Sequence, residues 1–317
     1  MDTLQYYFLM KGEISKMKFL VFSDLHYIQD YWDGGSWEDL RYFQRRAEEE
    51  NCDFIIHAGD FCGGQADAVD FIQAYSNFHI PSYHCLGNHD TDRCTFEEAV
   101  ARFNMPGEYY YFDCKGYRII VMNPNYYYYE GQFHHLVTSV PRAQRLNRDW
   151  IPPDQLAWLE KTLAETPYPC VIISHESFER PDGVHNQEEV RAVIDEANRR
   201  KPGTVLLCIN GHAHRDNLRI FHNVCYFDLN SASFDWIEAT HHLYTGPSML
   251  YPRAEHTLVY DDPLHAIVTL EGNTITIEGM ESTMHQGITP EMTDEPVVDR
   301  AGRVVRPVVQ SAKITLG

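Results

Sequence analysis

The eight cysteines of this 317-residue sequence form no Cys-x-x-Cys pair; they are scattered at positions 52, 62, 85, 94, 114, 170, 208 and 225. That spacing excludes the paired zinc and redox motifs and speaks against a disulfide framework. Several cysteines lie in apolar runs such as Val205-Leu206-Leu207-Cys208-Ile209, where a reduced thiol acts as a small hydrophobe. Reduced thiols point to a cytoplasmic protein. No apolar run reaches the roughly 20 residues of a membrane-spanning helix, so no membrane partner is expected. Tyr6-Tyr7-Phe8-Leu9-Met10 is too short for the core of a signal peptide, and Lys11 ends it. Basic residues are scarce too. Lys and Arg total 26 against 46 Asp and Glu, a net charge of −20, which disfavours a nucleic-acid backbone as partner. The deficit says nothing against small phosphate esters, because bound metal ions can reverse a local field. No internal repeat is visible, and nothing in the sequence fixes an oligomeric state.

A chain of this length can bury about 75% of its unfolded surface, enough for one large core. From Met17 to Ile209 apolar runs alternate with helical patterns, the signature of an α/β fold. The runs are Met17–Phe22, Asp53–Ala58, Pro81–Leu86, Tyr109–Cys114, Tyr117–Met122, Cys170–Ser174 and Thr204–Ile209. Helices are expected after Ser36, from Ala66 to Asn77, after the Thr95/Glu98 capping box, through Leu156, Leu159 and Leu163, and after Asn186. Beyond Ile209 only strand patterns remain, at Leu218–His222, Val224–Leu229, His256–Tyr260, His265–Leu270 and Thr274–Glu278, so mainly antiparallel sheet is expected there. These patterns divide the chain into an extension at 1–16, one domain at 17–281 with a long aromatic connection at 123–150, and a surface tail at 282–317.

Five of the apolar runs end in residues able to bind metal: Asp24/His26, Asp60, Asn88/His89, His175 and His212/His214. In Asp-x-His and His-x-His the two donors share one side of an extended segment. Carboxylate, imidazole and amide oxygen together suit manganese, iron or zinc better than calcium. So many donors exceed what one ion requires, and a carboxylate such as Asp60 can bridge two. Two ions about 3.5–4 Å apart form the clamp used in phosphoryl displacement. A single histidine in such a place is usually a core or loop residue; five such endings in one chain are hard to explain that way.

Asp24-Leu25-His26, Gly59-Asp60, Gly87-Asn88-His89-Asp90, His175 and Gly211-His212-Ala213-His214 together resemble the pattern of the calcineurin-like metallophosphoesterases, including bacterial cyclic-nucleotide phosphodiesterases. The resemblance implies a four-layer α/β/β/α sandwich. It implies one metal on Asp24, His26, Asp60 and His214, and a second on Asp60, Asn88, His175 and His212. His89 would face the substrate without binding metal, and Asp90 would orient it. The activity implied is hydrolysis of a small phosphodiester or phosphomonoester by a metal-bridging hydroxide. A nuclease of the same fold and a non-catalytic scaffold are the alternatives; the acidic balance weighs against the first and the intact donor set against the second. Two positions depart from the family's pattern, Gly63 where an acid is common and Glu176-Ser177 after the lone histidine.

Other residues invite weaker expectations. Tyr126–Tyr129 is expected to form a stacking wall, and Arg93 to be a surface residue able to reach a substrate phosphate. His134 and His135 suit the solvent as well as such a wall; His241 and His242 are expected at the surface, and His57 and His84 in the core.

Overall fold

The computed structural model describes residues 14–28, 33–137, 140–141, 143–144, 146–237, 243–251, 254–293 and 305–317. Two six-stranded sheets carry the domain. The first is built on β1 (Met17–Phe22), β2 (Phe54–Ala58) and β3 (Ser82–Cys85), which run parallel. On the other side of β1, β14 (Ala266–Glu271), β15 (Thr274–Glu278) and β16 (Ala312–Thr315) continue the sheet antiparallel. The second sheet has β5 (Tyr117–Val121), β8 (Cys170–Ile173), β9 (Val205–Asn210) and β11 (Val224–Asp228) in parallel, flanked by antiparallel β4 (Tyr110–Cys114) and β10 (Asn217–Phe221).

Side chains alternate across each strand, and so each sheet has two buried faces. Phe19, Val21 and Ile56 of the first sheet meet Ile119, Val171 and Ile209 of the second in a shared core. On its other face the first sheet packs Leu20, Phe22 and Ile55 against Phe43, Phe71 and Phe96. Those three belong to the helices Asp33–Glu49, Val69–Ser76 and Phe96–Arg102. The second sheet packs Ile120, Ile172 and Tyr226 against Leu159, Val190 and Ile194, from the helices Pro153–Glu165 and Gln187–Arg200. Strands buried on both faces read as continuous apolar runs, which is why they were visible in the sequence.

Three features differ from the sequence expectation. β11 pairs with β9 in parallel, because β10 lies outside it and returns the chain in the direction of β9. The stretch expected to be a surface tail instead supplies β16, and Val305, Val309 and Leu316 are buried. The boundary at Met17 is also too late: Ile14 packs on the shared core and Ser15 N–H donates to Lys115 O. Residues 1–13, His241 and His242 lie outside the described residues. Among the described residues no helix is long and apolar enough to cross a membrane.

Candidate metal centre

The parallel register aligns the ends of β1, β2 and β3, with Val21 beside Ile56 and Ala58 beside Cys85. The turns that follow are laced together through their backbones. Asp24 and His26 N–H donate to Gly59 and Asp60 O, both at 2.9 Å, and Gly211 N–H donates to His175 O at 3.0 Å. Two glycines are required by close approach. A Cβ on Gly87 would stand 2.2 Å from Asp60 Oδ1, and one on Gly211 would stand 2.4 Å from Asp24 Oδ2. Asp24, His26, Asp60, His212 and His214 all have φ between 49° and 67°. For residues with a side chain this left-handed backbone costs on the order of 1–3 kcal/mol each, and such strain clusters where function demands it.

The donors gather into two groups, Asp24–His26–His214 and Asp60–His175–His212, each with its candidate atoms within 4.8 Å of one another. His214 Nδ1 donates to Phe234 O at 2.7 Å and His175 Nδ1 to Ala58 O at 2.9 Å, which fixes both rings with Nε2 inward. His214 Nε2 then lies 3.0 Å from His26 Nε2 and 3.3 Å from Asp24 Oδ1. His175 Nε2 lies 3.1 Å from Asp60 Oδ2. Lone pairs aimed at each other and at carboxylates are stable only with a proton or a cation between them. Asp24 Oδ1, Asn88 Oδ1 and His175 Nε2 are buried and lack hydrogen-bond partners. The donor chemistry and these orphaned atoms fit two bound cations.

Electrostatics follow from the same packing. Burial opposes ionisation of Asp24, but His214 and His175 hold its carboxyl well below the usual range. Burial also opposes protonation of His175, while Asp60 and Asp24 raise it well above an ordinary imidazole. His212, desolvated and beside His175, is lowered to about 3.

His89 stands at the rim of the two groups, and the structure corrects the role expected for Asp90. The Asp90 carboxylate turns away from the imidazole and accepts the backbone N–H groups of Asp60, Phe61, Cys62 and Gly87 at 2.8–3.0 Å. It clamps the turn that carries Asp60. Asp92 holds the imidazole instead, with Oδ2 2.6 Å from His89 Nδ1. Burial works against the charge on His89, yet Asp60 and Asp92 raise its pKa to about 9. A pairing three residues along was open to sequence reading; the motif ended two residues too early to include it.

A cavity of about 230 Å³ opens over the centre, lined by Asp60, Asn88, His89, Asp92, Leu136, Arg148, His212, His214 and Trp236. The tyrosine run does not reach it. Tyr126–Tyr129 forms β6, paired as a hairpin with β7 (Gln132–His135). Tyr127 is buried against His134, and Tyr126 bonds Glu108 together with His135. Arg93 lines a neighbouring groove. His57 and His84 are buried, as expected. Arg148 and Trp236 left no motif in the sequence. Glu176, one of the two departures from the family pattern, is fully buried 3.9 Å from His212 Nδ1, and burial pushes its carboxyl up to about 8.

No curated protein sequence matches the chain. Among solved structures, a dimetal phosphatase from Danio rerio aligns with a TM-score of 0.57 at 16% identity, over 84% of this chain and 98% of that one. An anchor protein of the inner membrane complex of Plasmodium aligns with a TM-score of 0.55 at 11% identity, over 95% and 89%. Identities this low speak to the fold alone. The family model of the calcineurin-like phosphoesterases matches residues 17–216, the stretch from β1 past the last histidine of the centre. The chain belongs to the calcineurin-like phosphoesterase family and is a metal-dependent phosphoric ester hydrolase.

Proposed function

We propose that this protein hydrolyses a small phosphomonoester or phosphodiester at a binuclear centre of manganese, iron or zinc. Asp24, His26, Asp60 and His214 would hold one ion and Asp60, Asn88, His175 and His212 the other, Asp60 serving both. The observation that carries this reading is the inward convergence of His26, His214 and His175 nitrogens on the Asp24 and Asp60 carboxylates. When bound, the ions supply Lewis acidity and an activated water near neutral pH.

The chain's own residues do the rest. His89 holds a proton on its imidazole beside the cavity, and Asp92 fixes the ring through Nδ1. As water oxygen bonds to phosphorus and the ester P–O bond breaks, His89 Nε2 gives its proton to the leaving oxygen. Asp90 keeps the Asp60 turn in place through its four backbone contacts. A cytoplasmic setting is supported by eight cysteines that are all free thiols. The catalytic unit is the stretch 17–281 extended by residues 14–16 and by β16, which pack with it.

The test is a panel of phosphomonoesters and of cyclic and linear diesters offered to the manganese-loaded protein. Hydrolysis that a chelator abolishes is expected. No hydrolysis of any ester by protein carrying its full metal complement would overturn the reading.

A further inference from the structure

Two unlike side chains outside the donor set, Arg148 and Trp236, line the donor cavity. Arg148 lines the cavity together with Asp60 and His212. Near Asp24, His26 and His214 stands Trp236, its ring centre 5.5 Å from His26, 6.0 Å from His214 and 6.4 Å from His89. Arg148 is the one Lys or Arg among the residues lining the cavity. In a chain with a net charge of −20, a guanidinium placed at this cavity is suited to recognising an anion.

Its placement is built, not incidental. The segment carrying it is stitched to the outer edge of β6: Tyr128 N–H donates to Asn147 O at 2.9 Å and Asp149 N–H to Tyr126 O at 2.8 Å. Ile151 N–H donates to Asn186 Oδ1 at 3.0 Å, and the Trp150 ring stacks on His185 at 4.2 Å. Arg148 Nε donates to the buried Asp149 carboxylate at 2.9 Å, its one hydrogen bond among the described residues. Both terminal nitrogens of the guanidinium remain for a ligand, in the fork that suits a phosphate.

We propose that Arg148 takes a non-bridging phosphoryl oxygen while Trp236 receives a flat, apolar leaving group beside His89, so that ring-bearing phosphomonoesters are the preferred substrates. This rests on the phosphoesterase reading of the same cavity. A monoester has three non-bridging oxygens. With one directed to each donor group, the third faces Arg148. A diester carries an ester oxygen at that place and offers Arg148 no full charge. The leaving oxygen is then left to His89 and Trp236, whose ring centres stand 6.4 Å apart in the cavity wall.

Phenyl phosphate, glycerol phosphate and methyl phenyl phosphate test this with manganese-loaded protein, alongside calorimetric binding of inorganic phosphate. Arg148→Met should cut kcat/KM for phenyl phosphate by roughly 10–100-fold and weaken phosphate binding similarly, since hydrogen bonds to charged groups contribute about 1.5–3 kcal/mol. Hydrolysis of methyl phenyl phosphate should change less than about threefold, and Arg148→Lys should recover part of the loss, as a point charge without the fork. Trp236→Leu should raise KM for phenyl phosphate and leave glycerol phosphate nearly unchanged. Equal losses on monoester and diester, or unchanged phosphate binding, in Arg148→Met would overturn the role of Arg148. Equal losses on phenyl and glycerol phosphates in Trp236→Leu would overturn that of Trp236. Wild-type protein inactive on all three esters and unable to bind phosphate would instead sink the phosphoesterase reading itself, and this proposal with it.

Discussion

Asp60 and Arg148 border the same cavity, yet the chain brings them there by unlike means. Asp60 follows a buried strand directly; its turn is pinned by the Asp90 carboxylate and laddered to the turn after β1. Its position is set at the strand end, with the Asp90 carboxylate as a clamp reaching in from the next turn. Arg148 follows no regular strand. It reaches the cavity because its backbone docks on the edge of β6, about 20 residues earlier in the chain, and that hairpin is itself packed through Tyr126 and Tyr127. Rigid strand ends are suited to holding cations in fixed geometry, whereas a docked connection can vary without disturbing them. The difference predicts that damage to the two regions should look different in metal content and in substrate preference.

The largest effect is expected at the strand ends. Asp60→Ala should lower occupancy of both metals and abolish turnover, while His26→Ala should mainly weaken one; elemental analysis decides. Two full equivalents retained in Asp60→Ala would remove the bridge. Next comes His89, which borders the cavity but is no metal ligand in the proposed set. His89→Ala should keep its metals and lose ~10²–10⁴-fold on alkyl esters, whose leaving oxygen needs a proton, with a far smaller loss on nitrophenyl esters. Asp92→Asn should reproduce that ester selectivity in weaker form. An equal defect on both ester classes would mean that His89 stabilises the phosphoryl oxygens instead of donating a proton.

Asp90→Asn keeps the size of the side chain but turns one acceptor oxygen into a donor facing two backbone N–H groups, so metal affinity should fall by about 10–100-fold, the usual effect of losing a group that orients a ligand. Metal titration checks it, and unchanged affinity would show that the turn holds without the carboxylate. The smallest effect belongs to the connection. Tyr127→Ala removes a buried ring beneath the edge that carries Arg148, and should lower kcat/KM on phosphomonoesters by ~10-fold through misplacement, with metal content intact. Loss of metal in this variant would break the division between the two regions.

The same contrast explains what could be read in advance. The seven proposed donors were visible because each sits where an apolar run stops, and the end of a run buried on both faces is marked by composition alone. Asp90 was visible but misassigned: adjacent residues in a turn point to different sides, and spacing does not say which one meets the imidazole. The hairpin of Tyr126–Tyr129 was hidden because four identical residues show no alternation, so nothing distinguishes Tyr127, buried at 6% exposure, from Tyr128 at 38%. Arg148 and Trp236 were hidden for a deeper reason. One is placed by docking on β6 and the other by pairing with a short strand, β12 (Phe234–Trp236) against Thr257–Val259, and neither relation leaves a local pattern. Residues 312–315 joined a sheet from a stretch whose prolines and charges suggested exposure; Ala312, Lys313, Ile314 and Thr315 do alternate, but over too few positions to be read against that background.

The left-handed backbone at five donor positions bears on how such a centre can disappear over time. If an ordinary residue replaced one donor, its turn would keep the strained conformation and lose the cation that offsets it, so relaxation of that turn would become favourable. The turns are laced to one another, Asp24 to Gly59, His26 to Asp60 and Gly211 to His175, and relaxation of one would therefore disturb its neighbours. Loss of a single ligand would not leave six good ones behind. A centre built this way persists whole or decays quickly, and in descendants of this chain an intact set of seven is itself a sign that the metals are still in use.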